Sequence, residues 1–295
     1  MACSYWPKAT EKRNAGSLIL VVRSAERVDR VFGENWSNTE APNGYLTPTD
    51  LNIPHNAVTK KLLYGNVFVD NSPITPFGKY CVQLTARAIC NRGIEPQYIV
   101  CSPTLRSVQT GDALARFLKA KIAVEPGLLE PLAWYRSGNN TLPEFHLDLL
   151  GKMYPIDNNY SPIIPMETIQ KLYNEETEAQ GVERVDSVLR SLSREQRKRP
   201  LVIAGHAITL ATAAMLAYPQ SEKSASATTP IEQMTDLLGG EVIDQMNLGI
   251  RFPPGSVVTL NQTNRGSSNS YQLNPNVVPP LSYGEYFSNR AVLAT

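Results

Sequence analysis

The sequence has few cysteines and few histidines. Its 295 residues include four cysteines and three histidines. The cysteines form no CxxC pair and have no histidine-rich segment beside them, whereas zinc sites and disulfide frameworks need such clusters. We therefore expect no metal, no other cofactor, no disulfide framework and a reducing, cytoplasmic setting. The four cysteines are Cys3, Cys81, Cys90 and Cys101.

Long hydrophobic runs are also missing. Residues 1–16 are polar and contain no apolar core of the length that a secretory signal needs. We therefore expect a flexible N-terminal segment and no export. No later apolar run approaches the roughly 20 residues that span a bilayer, so we expect a soluble protein without membrane contact.

Neither sign of charge is in excess. The 28 basic and 27 acidic side chains nearly cancel, so net charge gives nucleic acid no attraction, although a local basic pocket stays open. The hydrophobic content of 42% is sufficient for a substantial core. The absence of internal repeats, low-complexity tracts and clear linkers favours a single domain over residues 17–295.

Short apolar runs alternate with helical periods along the chain. Runs rich in valine, isoleucine and leucine predict strands that are buried on both faces, and spacings of three and four residues predict helices. This alternation predicts an α/β fold with a mostly parallel central sheet and helices on both faces. Strands are predicted at 17–22, 97–101, 121–124, 201–204, 256–260 and 270–273, and helices at 75–89, 104–120, 182–192 and 207–217.

Two long segments have no sustained period. Residues 33–73 are rich in Asn, Pro, Gly and Thr, with a short hairpin predicted at 64–69, and residues 125–165 carry several aromatic side chains. We interpret both as insertions that leave the core of the domain. Insertions of this kind often cover a binding site.

Candidate functional residues stand where predicted strands end. Arg23 and Arg27 follow the first strand, and His206 follows the strand at 201–204. In an α/β sheet, ligands bind beyond the carboxyl ends of the strands, and the planar guanidinium group suits phosphate. The alternative for the two arginines is pairing with surface carboxylates such as Glu26 or Asp29.

The segment after the first strand carries a resemblance. Arg-His-Gly-Glu is the signature of the histidine phosphatase superfamily, and residues 23–26 read Arg-Ser-Ala-Glu. The chain resembles the phosphatase domains of the ubiquitin-associated and SH3 domain-containing proteins, also called suppressors of T-cell-receptor signalling, and the ecdysteroid-phosphate phosphatases. The resemblance covers residues 18–273 and implies the phosphoglycerate-mutase-like fold. Its motifs are RSAERVDRVFGENW at 23–36, LNIPH at 51–55, SPITPFG at 72–78, CSPTLRSVQT at 101–110, VEPGLLE at 124–130 and AGHAITL at 204–210.

The resemblance also implies roles for single residues. The family attacks phosphorus with a histidine, without a metal, and Ser24 occupies that histidine's place. Glu130 matches the acidic residue associated with proton donation. His206 matches the second histidine of the family, and homodimers are implied as well. The phosphate-clamping arginines of the family match Arg23, Arg27 and Arg106.

Serine is a poor replacement for the nucleophile. A serine hydroxyl needs a base or a metal ion to lose its proton, and a pocket of arginines supplies neither. The other histidines, His55 and His146, lie in the insertions. Residues 101–106 could suggest a cysteine-dependent phosphatase, but four residues separate Cys101 from Arg106, and that mechanism uses five.

We therefore predict a pseudophosphatase. It binds phosphate, a phosphorylated small molecule or a phosphotyrosine protein and turns it over poorly or not at all. One alternative is an active phosphomonoesterase that acts on phosphotyrosine or a steroid phosphate with a compensated site. A second alternative is a dimeric scaffold protein that binds no ligand.

Overall fold

A six-stranded sheet forms the centre of the described chain. Its order is β3-β2-β4-β1-β5-β6, in which β3, β2, β4 and β1 are parallel and β5 and β6 are antiparallel. The strands are β1 Leu18–Arg23, β2 Tyr98–Cys101, β3 Lys121–Val124, β4 Leu201–Gly205, β5 Val257–Arg265 and β6 Ser268–Leu273. The computed structural model describes residues 18–37, 50–55, 68, 70–136, 141–195, 199–217, 229–240, 242–265 and 268–293.

The two central strands, β1 and β4, are buried on both faces. Side chains alternate along β1, because successive residues of a strand point to opposite sides of the sheet. Leu18, Leu20 and Val22 belong to one hydrophobic cluster, and Ile19 and Val21 belong to another. This double burial explains why the predicted strands are continuous apolar runs rather than alternating patterns.

Helices cover both faces of the sheet. The helices among the described residues are α1 Val28–Phe32, α2 Pro76–Asn91, α3 Leu105–Leu118, α4 Leu147–Met153, α5 Met166–Leu172, α6 Glu178–Glu195, α7 Ala207–Leu216, α8 Pro230–Leu237 and α9 Gln245–Arg251. Helices α2 and α3 pack on one face, and α6, α7 and α8 pack on the other. The predicted α/β fold with a mostly parallel sheet between two helical layers is confirmed.

The insertions differ in how far the structure describes them. The predicted hairpin at 64–69 lies outside the described residues, of which only Phe68 falls in that range. The second insertion is less irregular than predicted, since it contains α4 and two short 3₁₀ helices, Pro126–Leu128 and Leu132–Tyr135. These elements are too short to produce the repeated apolar spacing that identifies a helix in sequence.

The structure describes three of the four cysteines. Cys81, Cys90 and Cys101 are free thiols, whereas Cys3 lies outside the described residues. Among the helices that the structure describes, none is both long enough and apolar enough to cross a membrane.

Candidate functional site

The carboxyl ends of three neighbouring strands meet at one edge of the sheet. Arg23 of β1 lies opposite Gly205 of β4, and the backbone N–H of Ser24 donates to the Gly205 carbonyl at 2.8 Å. Ser24 is therefore beside His206, the residue that follows β4. Both side chains are buried, with exposed fractions of 5% and 2%. We call the group of side chains around this edge the cleft: Arg23, Ser24, Arg27, Arg106, Glu130 and His206.

Arg106 contacts the imidazole of His206 from the first turn of α3. Its Nη2 donates to Glu130 Oε2 at 2.5 Å and lies 3.4 Å from His206 Nδ1. The other ring nitrogen, Nε2, lies 2.8 Å from Ser102 Oγ. Because a guanidinium can only donate, we assign Nδ1 as the acceptor and place the proton on Nε2, which then donates to Ser102. Both nitrogens of the imidazole are therefore engaged within the protein.

Glu130 is a buried carboxylate among cations. Tyr135 donates to its Oε2 at 3.1 Å, in addition to the bond from Arg106. Burial acts to raise the pKa of this carboxyl group, but an electrostatic interaction with His206 and the charges of Arg106 and Arg27 outweigh burial and lower the pKa to about 2. Glu130 is thus ionised at neutral pH, and it would serve as a proton donor only after a ligand changed its surroundings.

His206 is neutral because, for this residue, burial outweighs the attraction of Glu130. Burial lowers the pKa of His206, the charge of Glu130 opposes this effect, and the nearby arginines add to it, so that the pKa falls to about 3. The lowered value agrees with the hydrogen bonds, because a neutral imidazole is what allows Nδ1 to accept from Arg106.

A second buried ion pair holds the segment that carries Glu130. Arg184 of α6 donates to both carboxylate oxygens of Glu176, at 2.6 and 2.9 Å. The same guanidinium donates to the carbonyls of Gly127, Leu129 and Glu130 at 2.8 to 3.1 Å. One planar group thus binds three backbone carbonyls within residues 127–130, which helps to set the position of Glu130 relative to Arg106.

Arg23 has a partly buried guanidinium that bonds to backbone. Its Nη1 donates to the carbonyl of Gly249 at 3.0 Å and to that of Phe252. Burial lowers the pKa of Arg23 to about 10; Glu130 opposes the shift, and the neighbouring arginines reinforce it. Among the described residues no carboxylate forms an ion pair with Arg23, so its positive charge is not balanced directly.

Arg27 pairs with Asp29. Its Nε and Nη2 donate to the two oxygens of the Asp29 carboxylate at 2.9 and 2.5 Å. The alternative of carboxylate pairing therefore holds for Arg27, although the pair is largely buried, with 16% and 13% of the two side chains exposed, rather than on open surface. It does not hold through Glu26, whose Oε1 accepts from Thr75 Oγ1 at 2.7 Å.

Close packing fixes the backbone between Ser24 and α1. The Ala25 N–H donates to Thr110 Oγ1 at 3.0 Å, and the Val28 N–H donates to the Pro73 carbonyl at 3.0 Å. Gly78 of α2 is essential to this packing, because a Cβ at that position would lie 2.8 Å from the Glu26 nitrogen. The segment after β1 is therefore held by helices on the side of the sheet that carries α2 and α3.

The sequence did not assign roles to three contacting residues. Ser102 lies within a quoted motif, but its bond to His206 depends on the pairing of β2 with β4. Tyr135 and Asp70 both lie in the insertions, and Asp70 contributes its backbone carbonyl, which accepts from Arg106 Nη1 at 2.9 Å. A side-chain pattern in sequence cannot indicate a carbonyl ligand, although the positive φ of 57° at Asp70 marks an unusual backbone.

The remaining candidates lie apart from the cleft. Cys101 is fully buried against α3, and burial raises the pKa of its thiol, so it is not an activated nucleophile. His55 lines a separate cavity of about 240 Å³ with Tyr154. His146 lies 3.2 Å from the carboxylate of Glu144 at the start of α4. No group of three or more His, Cys, Asp or Glu side chains suited to a metal ion occurs within the described ranges.

A comparison with protein families finds a match. A sequence model of the histidine phosphatase superfamily (branch 1) matches residues 67–232. This range contains Arg106, Glu130 and His206, whereas residues 23–27 lie before it.

Curated relatives match between half and two thirds of the chain. The ecdysteroid-phosphate phosphatase of Drosophila melanogaster is 31% identical over 200 residues, which are 66% of this chain and 26% of that protein. Ubiquitin-associated and SH3 domain-containing protein A of Mus musculus is 34% identical over 154 residues, 50% of this chain and 24% of that protein. Protein B of Homo sapiens is 30% identical over 201 residues, 65% and 30% respectively. The chain therefore spans about a quarter to three tenths of the length of these relatives.

A solved structure shares the fold. The crystal structure of ecdysone phosphate phosphatase from Bombyx mori in complex with tungstate has a TM-score of 0.66 and 22% sequence identity. The match covers 92% of this chain and 96% of that one. At this level of identity the likeness concerns the fold alone.

Proposed function

Because the chain belongs to the histidine phosphatase superfamily (branch 1), we propose that it is a pseudophosphatase, which binds a phosphate group in the cleft and does not turn it over. The relevant observation is the state of His206 beside Ser24. Nδ1 lies 3.4 Å from Arg106 Nη2 and Nε2 lies 2.8 Å from Ser102 Oγ, so both nitrogens have partners other than the Ser24 hydroxyl. A serine without a base is not an effective nucleophile.

Phosphate binding is supported by the charges of the cleft. Glu130 balances Arg106 and Asp29 balances Arg27, while Arg23 has no carboxylate partner in the part of the chain that the structure describes. Its hydrogen bonds there use Nη1 alone, which leaves N–H groups on Nε and Nη2 for a ligand. A partly buried guanidinium without a carboxylate partner attracts an oxyanion.

The relatives narrow the proposed ligand. The names of the curated relatives include ecdysteroid-phosphate phosphatase, and the similar solved structure contains tungstate, which is an oxyanion. The proposed ligand of this chain is accordingly a phosphomonoester, either on a small molecule or on a phosphotyrosine protein. A binding experiment distinguishes this proposal from the alternative, a dimeric scaffold that binds no ligand.

Binding is tested by thermal unfolding and titration calorimetry with inorganic phosphate and sulfate. A ligand at about 100 times its Kd stabilises the folded state by about 2.7 kcal/mol, so we expect the Tm to rise by several degrees. The rise should shrink in Arg23→Ala and Arg106→Ala, whereas Arg87→Ala, which removes an exposed arginine of α2, should leave it unchanged. An unchanged Tm in millimolar anion, or arginine variants that respond like the parent, would support the scaffold instead.

A further inference from the structure

A fourth arginine lies at the rim of the cleft. Arg30 follows Arg27 by one turn of α1 and is exposed. Its Nη2 donates to the side-chain oxygen of Gln245 in α9 at 3.3 Å. Neither residue is among the candidate residues that the sequence identifies.

Helix α9 brings Arg30 close to Arg23. Arg23 bonds to Gly249 and Arg30 bonds to Gln245, and these two helix residues are four positions apart. Residues at this spacing are neighbours on one face, separated by about 6 Å. The two guanidiniums therefore contact the same helix about one turn apart, and Arg30 is among the charges that lower the pKa of Arg23.

The charge of Arg30 is not balanced. Asp29 is engaged with Arg27, and Glu130 is engaged with Arg106. Within the described ranges, no carboxylate forms an ion pair with Arg30, and its bonding partner Gln245 is neutral. A single exposed arginine is ordinary on a protein surface. An unbalanced arginine next to a cluster of three others adds a second site of positive potential beside the first.

We infer that Arg30 and Gln245 form a second anion subsite for the ligand whose phosphate lies in the cleft. The ligand class is then a phosphomonoester with a second acidic group, a carboxylate or another phosphate, about one helical turn (~6 Å) from the first. The guanidinium of Arg30 donates to this group, and the amide of Gln245 can turn to donate as well. This inference rests on the proposed phosphate binding and adds a requirement for the rest of the ligand.

The test compares phenyl phosphate with 4-carboxyphenyl phosphate by titration calorimetry. The parent protein should bind the carboxylated probe about 3- to 10-fold more tightly. In Arg30→Met, which keeps an unbranched side chain without charge, this ratio should fall close to one. Gln245→Glu should also abolish the preference, because the new carboxylate would neutralise Arg30 while leaving it in place. Arg87→Met is the matched control and should keep the ratio of the parent.

A peptide arm distinguishes the source of the second acid. Phosphotyrosine pentapeptides with either Glu or Gln next to the phosphotyrosine are titrated into the same proteins. A preference for Glu that depends on Arg30 supports an acidic phosphopeptide, and a preference confined to 4-carboxyphenyl phosphate supports a small acidic phosphoester. If the parent and Arg30→Met bind every probe with equal affinity, the proposed subsite is wrong, while phosphate binding in the cleft is unaffected. If the folded parent binds no probe, the proposed function fails as well.

Discussion

Ser24 is the residue that separates binding from catalysis in this cleft. Its backbone is held by Gly205 and its neighbour His206 has both nitrogens engaged. In a well-studied hydrolase, removal of the nucleophile lowers turnover by about 10⁶-fold, and what remains is an effect of binding and electrostatics. Phosphate-monoester hydrolysis requires up to about 10²¹-fold acceleration. The residual catalysis would therefore be too slow to observe.

Replacing two residues should restore a phosphatase. We expect Ser24→His with Ala25→Gly to turn over p-nitrophenyl phosphate measurably, because the arginines, Glu130 and His206 are already in place. The glycine removes a buried methyl group, since Ala25 is 2% exposed and its N–H is fixed by Thr110. The matched control is Ser24→Ala with Ala25→Gly. A folded histidine variant that binds phosphate but stays inert would show that further catalytic features are missing.

The buried pair of His206 and Glu130 should make stability depend on pH. The pKa of His206 is about 3 in the folded protein and 6.5 in its unperturbed state, and the values for Glu130 are about 2 and 4.5. Both folded values are lowered, so the unfolded chain binds protons first on acidification. The free energy of unfolding should fall as the pH decreases below 6.5, by up to about 1.4 kcal/mol per pH unit for His206 alone.

Urea unfolding between pH 7 and pH 5.5 measures this effect. In that range Glu130 is predominantly ionised in both the folded and the unfolded state, so the difference between the parent and His206→Asn reports the histidine. We expect the parent to lose stability relative to the variant as the pH falls. A constant difference across the range would contradict the assignment of His206 as a neutral buried imidazole.

The sequence predicts the ionic residues of the cleft better than their partners. Arg106 and His206 could be placed because each follows a predicted strand within a recognisable motif. Asp70, Tyr135 and Arg30 could not, since their positions depend on how the insertions and α9 fold against the strands. The carbonyl of Asp70 leaves no side-chain signal at all.

At the scale of elements, the residues of the site lie in the short connections that follow the strands. Ser24 follows β1, Ser102 follows β2 and His206 follows β4, and the pairing of these strands fixes the spacing of the three residues. The strands were predictable because each is a continuous apolar run. The helices of the second insertion were not, since helices of seven residues or fewer rarely complete an amphipathic pattern.

Contact between β2 and α3 provides a test of packing. A Cβ on Gly111 would lie 2.3 Å from the Sγ atom of Cys101, and both residues are fully buried. We expect Gly111→Ala to destabilise the protein by about 1 to 3 kcal/mol through overpacking. In a Cys101→Ala background the clash disappears, and the same substitution should stabilise the helix by about 0.5 to 1 kcal/mol.

Urea unfolding of the four proteins in this cycle gives the coupling between the two positions. The substitution at Gly111 should change from unfavourable to favourable when Cys101 is shortened. If it destabilises equally in both backgrounds, the close approach of β2 and α3 is not the reason for the glycine.

At the scale of the whole molecule, the cleft concentrates charge that the chain as a whole does not show. The 28 basic and 27 acidic residues nearly cancel, yet four arginines, Arg23, Arg27, Arg30 and Arg106, are grouped near three carboxylates, those of Asp29, Asp70 and Glu130. The net charge of the chain therefore argues only against nucleic acid as a ligand and does not reveal a local anion-binding site. The prediction of phosphate binding came from the order of the motifs in the sequence. The local excess of positive charge became visible only in the folded structure.

The most direct test of the account is the turnover of p-nitrophenyl phosphate by the purified protein in the presence of a metal chelator. The parent, Ser24→Ala and Arg106→Ala should all release p-nitrophenol at the rate of the buffer, although the parent binds phosphate. Metal-independent turnover in the parent that is lost in both variants would show that Ser24 is a working nucleophile. The chain would then be an active phosphomonoesterase, and the account of a binding cleft without catalysis would be wrong.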